Sequence, residues 1–369
     1  FPGYSNRWRQ TEEMSGLRVV RVKTFIASNQ GVVRRTLDFT SFMVNGFVAG
    51  LFEERPDVVV ATSPQFLAAV AGWTLGAIRS VPFVFELGDL WPDSITAVGA
   101  MRQSILLRWM EKVELFLYRK SAAVVALTGA FKDNLTGRGI DPDKIAVVIN
   151  GVDLSRYGPR TRDNELADEW GLREKFVVGY VGTHGMAHAL SNVLDTAERL
   201  KSEAGLRFLL AGGGAERQAL IKEAARRGLS NVVFMDPQPK ENMPAVWSIC
   251  DVALVHLKNS PVFASVIPSK IFEAMGMGLP ILLAAPKGEA SRIIEEDRAG
   301  LWVPAEDPAA LAGAVVRLMG DDALRRGLAE RSHRAAPSHS RENQARRMIR
   351  VLEMAAAGDG GEAGKTDLG

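Results

Sequence analysis

The sequence predicts an α/β protein built from two successive doubly wound units. Three observations carry this prediction: strand-like runs that are apolar throughout, helical patterns that alternate with them, and glycine-rich turns after several runs. Runs such as VVVAT, VVAL, VVGYVG and FLLAGGG lack polar alternation, as expected for parallel strands buried on both faces. Parallel strands need crossover connections, and the helical patterns between the runs supply them.

Each unit has its own series of candidate strands. In the first unit they lie at 17–22, 57–61, 81–86, 122–126 and 145–149. In the second they lie at 176–182, 207–211, 232–234, 252–256, 281–285 and 300–303. The crossover helices are expected at 111–120, 191–203, 216–227 and 308–319. Open sheets of this kind bind ligands beyond the carboxyl ends of their strands.

Breaks in this periodicity divide the chain. An irregular stretch near 150–168 separates a first domain, 1–160, from a second, 161–336. A helix is expected at 337–354, and the Gly-rich tail 355–369 is expected to be disordered. The opening FPGYSNRWRQTEEM is expected to be neither strand nor crossover helix. We therefore hypothesise that the opening βα segment of the first unit is missing from this sequence.

Composition excludes several classes of protein. The 369 residues carry a formal net charge of +2, so no large nucleic-acid footprint is indicated. One cysteine, Cys250, rules out an intramolecular disulfide and fits a reducing compartment. The longest apolar run, 66–78, is too short to span a membrane and is expected to be a buried helix.

The most informative motif is IPSKIFEAMGMGLP at 267–280. It predicts a helix that starts near a proline, with Lys270 and Glu273 one turn apart on one face. A lysine beside a helix N-terminus suits a phosphate, and a carboxylate one turn further can accept hydrogen bonds from ribose hydroxyls. The same spacing also describes an exposed ion pair. The motif alone leaves both interpretations open.

Other candidate residues follow predicted strands. The loop after strand 176–182 could bring a helix N-terminus to a phosphate, and its candidates are Gly182, Thr183, His184 and His188. The two histidines are spaced i, i+4 and could instead hold zinc, but no carboxylate or cysteine is near them in the sequence. The glycine triplet 212–214 could be a flexible turn or could contact a ligand. Glu289 could be an exposed residue or could bind a sugar hydroxyl. Glu86 and Asp89, near the end of strand 81–86, are site candidates or capping residues.

Several ordered blocks resemble one known family. IPSKIFEAMGMGLPILLA, with GEASRIIEEDRAGLWVPAEDPAAL, is similar to the C-terminal signature of family 4 retaining glycosyltransferases of the GT-B fold. FVFELGDLWPDSITAVGA, AVVALTGAFKDNL and KIAVVINGVDLSRY resemble its N-terminal blocks. The resemblance is strongest to the bacterial surface-polysaccharide group that includes fucosamine transferases. It extends from residue 1 to about residue 354.

The resemblance implies two Rossmann-like domains facing a cleft, with the helix 337–354 returning to the first domain. It implies sugar transfer from a nucleotide donor with retention at the anomeric carbon and with no metal or other cofactor. By position, the donor-binding residues would be Gly182, Thr183, His184, His188, Lys270, Glu273 and Glu289. In this assignment Glu273 holds the ribose, Lys270 neighbours the diphosphate and Glu289 lies near the sugar. Asp89 and Glu86 would be the catalytic candidates on the acceptor side.

The chain departs from the family pattern at several positions. The first carboxylate of the family's paired glutamates is replaced by Ser265. The Arg and Lys that usually follow the first strand of the second domain are Thr183 and His188, and the Arg before DLWP is Gly88. The diphosphate charge is then expected to be met by Lys270, by helix N-termini and by protonated His184 or His188.

The expected function is transfer of a sugar, from a UDP-sugar such as an N-acetylated amino sugar, to a glycan or polyprenyl-diphosphate-linked acceptor in O-antigen or capsule biosynthesis. A sugar-nucleotide epimerase and a non-catalytic sugar-nucleotide-binding protein are the alternatives. Nucleic acid is not an expected partner. A cytoplasmic location is expected, and a peripheral contact with the inner membrane face is considered. A basic face for that contact could be formed by Arg7, Arg9, Arg18, Arg21, Lys23, Arg34 and Arg35, but the same charges are also typical of a solvated surface.

Overall fold

A computed structural model describes residues 5–27, 32–63, 66–90 and 105–365. By contacts the chain divides into two compact units. Unit 1 contains Phe1–Val148 and Arg347–Gly369, and unit 2 contains Ile149–Arg346. The division therefore lies earlier in the chain than the boundary expected at residue 160.

Unit 1 contains a two-stranded hairpin and a four-stranded parallel sheet of order β3-β4-β5-β6. Its strands are β1 (Arg9–Met14), β2 (Leu17–Val22), β3 (Val59–Thr62), β4 (Phe83–Leu87), β5 (Ala123–Ala126) and β6 (Ile145–Val147). Its helices are α1 (Val32–Leu51), α2 (Phe66–Arg79), α3 (Ile105–Lys120) and α4 (Gly129–Gly137).

The hairpin corrects one expectation from the sequence. The opening segment contains a strand, β1, and it pairs antiparallel with β2, so 17–22 joins this hairpin and not the parallel sheet. Ser15 and Gly16 both have positive φ, as a two-residue turn of matching twist requires. The RQTEEM sequence of β1 has no apolar run, and one of its register pairs joins opposite charges, Glu13 with Arg18. Pairing with β2 therefore makes this segment a strand, although its polar composition does not predict one.

Unit 2 contains a six-stranded parallel sheet of order β12-β11-β10-β7-β8-β9. Its strands are β7 (Phe176–Val181), β8 (Leu206–Ala211), β9 (Val232–Met235), β10 (Val252–His256), β11 (Ile281–Ala284) and β12 (Gly300–Val303). Its helices are α5 (Asn164–Glu169), α6 (Ser191–Arg199), α7 (Arg217–Arg226), α8 (Met243–Ser248), α9 (Lys270–Met277), α10 (Glu289–Glu296), α11 (Pro308–Gly320) and α12 (Asp322–Ala335). The predicted doubly wound parallel fold is confirmed.

Alternate residues of the central strands face two separate cores. Val177 and Val181 pack on one side of the unit 2 sheet, whereas Val178 and Tyr180 pack on the other. Burial on both faces explains why these strands are apolar without alternation. Among the described residues, no helix is long and apolar enough to cross a membrane.

The last helix, α13 (Arg341–Ala357), crosses the division between the units, since residues from Arg347 onward belong to unit 1. The expectation that 355–369 is disordered is wrong for the described part, which ends at residue 365. Ala363 is fully buried in the unit 1 core, and the Gly364 N–H donates to the Asp143 carbonyl at 2.6 Å. Small residues let this segment approach the sheet closely. Because the segment contains no long apolar run, its sequence does not predict this packing.

The packing of the C-terminal segment can be tested with one charge placed at two positions. Ala363→Asp buries a carboxylate and is expected to lower the free energy of unfolding by roughly 2–4 kcal/mol. Gly361→Asp puts the same charge where an added Cβ meets nothing within 4 Å, and it is expected to change stability by less than about 0.5 kcal/mol. Urea unfolding measures both. Equal effects would mean that this segment does not pack as described.

Candidate functional site

The strand order of unit 2 reverses at the pair β7 and β10. From β7 the chain continues outward to β8 and β9, then returns to β10 on the opposite side of β7. The carboxyl ends of strands at such a reversal form a crevice, which is where open α/β sheets bind ligands. The loop that follows β7 begins at Gly182, and α9 follows β10 in the chain. The sequence candidates of unit 2 therefore lie on the elements that border this crevice.

Two glycine-rich loops pack backbone to backbone beyond β7 and β8. Gly182 has φ +148° and Gly212 has φ +139°, in the region that favours glycine. A Cβ on Gly212 would lie 2.0 Å from the Gly182 carbonyl oxygen. The His184 N–H also donates to the Gly213 carbonyl at 2.8 Å. The triplet 212–214 is thus required by close packing against the loop after β7.

Lys270 is the central charge of the site. Its side chain is buried, and its ammonium lies 3.8 Å from the centroid of the Tyr180 ring. Nζ has no hydrogen-bond acceptor among the described residues. A Cβ on Gly182 would stand 2.8 Å from Nζ, so the glycine makes room for the amine beside the backbone. Burial lowers the pKa of Lys270 to about 7, against the opposing effect of Glu273.

His184 is fully buried in the loop after β7. Neither ring nitrogen has a hydrogen-bond partner among the described residues. Burial lowers its pKa to about 4, and the positive charges of Arg217 and Lys270 act in the same direction. The expectation of a protonated His184 is therefore wrong for the protein as described, since the imidazole is neutral near pH 7.

His188 is held by an exchange of hydrogen bonds with His256. His188 Nδ1 lies 3.2 Å from the His256 carbonyl, and His256 Nδ1 lies 2.7 Å from the His188 carbonyl. Because a carbonyl only accepts, Nδ1 of His188 carries the proton and its Nε2 keeps a lone pair. Burial lowers the pKa of both rings to about 4, so the expected protonated His188 is also corrected. His256 Nε2 lies 2.9 Å from the side-chain amide of Asn192, and because this nitrogen of the neutral ring accepts, the amide presents its NH₂ group to it.

Glu273 lies one turn after Lys270 on α9 and is half-buried. Its Oε2 accepts a hydrogen bond from the indole Nε1 of Trp247 at 3.1 Å. Burial raises the pKa of Tyr157 to about 12, with a further contribution from the negative charge of Glu273. Lys270 and Glu273 form no ion pair among the described residues, and Lys270 is buried. The alternative of an exposed ion pair is therefore excluded.

Two other candidates of unit 2 have defined neighbours. Glu289 is the first residue of α10, is buried, and pairs with Arg292 on the same helix. Thr183 is exposed, and its carbonyl accepts a hydrogen bond from the Tyr180 hydroxyl at 2.7 Å. Ser265, at the position of the missing carboxylate, donates to the Val262 carbonyl at 2.8 Å.

Glu86 and Asp89 belong to unit 1. Glu86 is the fourth residue of β4, and the Thr62 hydroxyl of β3 donates to its Oε2. Asp89 lies half-buried just after β4, in a loop where the Gly88 N–H donates to Ser63 Oγ at 3.1 Å. The structure places both residues near the carboxyl end of β4. The other seven candidates lie in unit 2.

Sequence reasoning did not single out Tyr180, His256, Asn192 or Trp247. His256 ends an otherwise apolar strand, VALVH, and this polar ending was the available signal. Trp247 lies in an apolar run and gave no signal, because only the fold brings its indole to Glu273. The described residues contain no group of three or more His, Cys, Asp or Glu side chains that could hold a metal ion.

These features define a class: an α/β protein with two parallel-sheet units, the second of which carries a buried lysine at its strand reversal. Two family models match. "Glycosyl transferase 4-like domain" covers residues 1–151, and "Glycosyl transferases group 1" covers residues 175–321. Together they account for most of the chain, which therefore belongs to the family 4 glycosyltransferases of the GT-B fold.

Curated relatives agree with this assignment. The chain is 26% identical to the probable glycosyltransferase WbjE of Pseudomonas aeruginosa, over 70% of this chain and 65% of WbjE. It is 23% identical to the putative colanic acid biosynthesis glycosyl transferase WcaI of Escherichia coli, over 73% and 68% of the two chains. It is 35% identical to a D-inositol 3-phosphate glycosyltransferase of Nocardia farcinica, over 53% and 45%. The chain thus spans about half to two thirds of these relatives' lengths.

Solved structures show the same fold. Anabaena HepE in complex with UDP has a TM-score of 0.71 at 18% identity, covering 86% of this chain and 84% of HepE. Sucrose-phosphate synthase from Thermosynechococcus elongatus has a TM-score of 0.77 at 18% identity, covering 96% and 87%. Both likenesses support the GT-B architecture.

The burial of Lys270 predicts a specific pH dependence of stability. Folding lowers its pKa from 10.5 to about 7, so between these values the unfolded chain binds a proton that the folded chain has released. The contribution of Lys270 to stability therefore rises with pH across that window. Lys270→Met is expected to stabilise the protein at pH 7 and below by an amount on the order of a few kcal/mol, and the gain should shrink toward pH 10.5.

Urea unfolding at a series of pH values measures this difference. Lys222→Met, on the exposed side of α7, removes the same charge without burial and should show no such trend. A gain for Lys270→Met that stays constant from pH 6 to pH 10 would mean that the amine is solvated or paired.

Proposed function

We propose that this chain is a retaining glycosyltransferase that moves a sugar from a UDP-sugar to a glycan or a polyprenyl-diphosphate-linked acceptor during surface-polysaccharide biosynthesis. The observation that carries the proposal is the buried ammonium of Lys270 at the strand reversal, which has no hydrogen-bond acceptor in the described part of the chain, with Glu273 one turn further along α9. A buried amine without an acceptor is unfavourable in the free protein. A diphosphate would supply the missing acceptor.

The donor diphosphate is proposed to lie between Lys270 and the loop after β7. Phosphate oxygens would accept hydrogen bonds from Nζ and would raise the pKa of the lysine again, so donor binding would take up a proton. The neutral His184 and His188 would serve as hydrogen-bond partners and not as cations. Glu273 would bind the ribose hydroxyls, and Glu289 would lie near the transferred sugar.

The chemical step is proposed to proceed on one face of the sugar. The bond between the anomeric carbon and the diphosphate oxygen breaks, and the acceptor hydroxyl oxygen bonds to the same face of that carbon. The hydroxyl proton passes to the departing phosphate oxygen. Lys270 would stabilise the charge that develops on this leaving group, in a site screened from water. No metal or other cofactor is included in this proposal.

The comparisons support the donor and the pathway class. HepE is described in complex with UDP and with UDP-glucose, and WcaI is named for colanic acid biosynthesis. By analogy we assign the nucleotide as UDP and the product as a surface polysaccharide. Glu86 and Asp89 are proposed as the catalytic candidates on the acceptor side. A cytoplasmic location is part of the same proposal.

Calorimetry with UDP tests the site. Lys270→Met is expected to weaken UDP binding by about tenfold or more, because a hydrogen bond to a charged group is lost. Glu273→Gln is expected to weaken UDP binding as well. The affinity for inorganic pyrophosphate, which has no ribose, should be lowered only by Lys270→Met. The exposed Lys222→Met is the matched control and should bind UDP like the wild type. Unchanged UDP affinity in both site variants would contradict the assignment.

Turnover separates the proposed function from its rivals. The same proteins are incubated with a panel of UDP-sugars, with and without a polyprenyl-diphosphate-linked sugar, and the products are identified by mass spectrometry. A transferase forms an elongated acceptor, and Lys270→Met should reduce that product at least tenfold. A changed sugar nucleotide without acceptor would indicate an epimerase. Binding without any turnover would indicate a non-catalytic protein.

A membrane contact through the β1–β2 hairpin is also proposed. Trp8 and Leu17 are 65% and 68% exposed, and basic side chains stand nearby in the sequence at Arg7 and Lys23. The expected basic face is partly neutralised: Arg9 and Arg18 pair with Glu53, and Arg21 pairs with Glu12. The remaining cations and the exposed apolar groups would together suit an anionic lipid surface.

Liposome co-sedimentation tests this contact. Wild-type protein is expected to bind vesicles containing phosphatidylglycerol more strongly than vesicles of phosphatidylcholine alone. The double variant Trp8→Ser, Leu17→Ser should lose most of that binding, because buried apolar area drives insertion. Ile78→Ser, at a 61% exposed position on α2, is the control. Binding that is independent of anionic lipid and of the hairpin residues would refute the contact.

A further inference from the structure

Trp247 connects the hydrophobic core of unit 2 to the carboxylate of Glu273. It lies on α8, its side chain is fully buried, and its Nε1–H donates to Glu273 Oε2 at 3.1 Å. No second donor to this carboxylate is found among the described residues. The hydrogen bond joins two elements, α8 and α9, that are separated in sequence by strand β10.

Core packing and the hydrogen bond together hold the indole of Trp247 in this position. Trp247 packs in the same core cluster as Ile271 and Phe272, the two residues between Lys270 and Glu273. A buried indole N–H needs an acceptor, and leaving it without one would be costly. Core packing therefore fixes the indole, and the indole fixes the direction of the Glu273 carboxylate.

The hydrogen bond leaves most of the carboxylate available. An ionised carboxylate offers about four lone-pair positions on its two oxygens, and Trp247 uses one of them. Oε1 and the remaining position on Oε2 can accept from two neighbouring hydroxyl groups. A vicinal diol, such as the 2′ and 3′ hydroxyls of a ribose, presents two donors at that spacing.

We infer that Trp247 is a positioning residue for ribose recognition: its indole N–H orients Glu273 so that the carboxylate can accept from both hydroxyls of the ribose. This inference rests on the proposed donor site. The competing interpretation is that Trp247 only fills the core. The two interpretations differ in one respect, because a packing role would affect all ligands equally, whereas a positioning role acts only on ligands that carry the ribose hydroxyls.

The test compares the binding of UDP and of 2′,3′-dideoxy-UDP by calorimetry, using the whole chain of 369 residues. Trp247→Phe keeps an aromatic ring and removes the N–H, and it is expected to reduce the preference for UDP over the dideoxy compound by about tenfold. Trp302→Phe is the matched control, because its indole N–H donates to the Ala285 carbonyl in the same unit at 3.0 Å. This control should keep the wild-type preference.

The outcomes separate the inference from the proposed function. An unchanged preference in Trp247→Phe, or an equal loss of affinity for both ligands, overturns the positioning role while the donor site stands. Failure of the wild-type protein to bind UDP at all overturns the donor site, and the positioning role with it. A reduced preference confined to Trp247→Phe supports the inference.

A second measurement does not depend on the folding of Trp247→Phe. In protein labelled with ¹⁵N at the tryptophan indoles, one Nε1–H signal should shift in Glu273→Gln, because its acceptor changes from a carboxylate to an amide. The same signal should move when UDP binds to the wild type and should move far less with 2′,3′-dideoxy-UDP. If no indole signal responds to both Glu273→Gln and UDP, the inference is wrong.

Discussion

The site of unit 2 depends on one unfavourable arrangement, a buried ammonium for which the described residues provide no hydrogen-bond acceptor. Lys270 lies over the Tyr180 ring and beside Gly182, and desolvation lowers its pKa to about 7. The ring face offers only weak compensation for the lost water. The folded protein therefore holds a group that gains most when an anion arrives, which is how a site can be prepared for a diphosphate before the diphosphate binds.

The surrounding backbone makes this arrangement possible. Parallel strands buried on both faces bring the loops after β7 and β8 to one edge, where glycines allow the backbones to pack within a distance that a Cβ would forbid. The two histidines of the first loop are neutral because the same burial disfavours their charged forms. Lys270 supplies a buried positive charge in this crevice, and Arg217 lies beside the second loop with its charge paired to Asp236. The family pattern would add further cations there.

Much of the fold could be predicted from the sequence, because a strand buried on both faces has a distinctive apolar composition. The strands of the second sheet and the helix carrying Lys270 and Glu273 lie close to the predicted positions. The hairpin strand β1 and the packed segment around Ala363 were missed for the opposite reason. The former is a mostly polar strand that pairs with β2 and the latter is packed by small residues, and neither leaves an apolar run in the sequence.

The sequence alone determined the class of the protein, since periodicity, glycine turns and ordered motifs are local patterns that survive without coordinates. It also determined which residue types could meet a phosphate and a ribose. Only the tertiary structure decided that Lys270 is buried with no acceptor among the residues described, that the histidines are neutral, and that Trp247 donates to Glu273. These properties arise from desolvation and from contacts between residues distant in sequence, and local patterns carry no information about either.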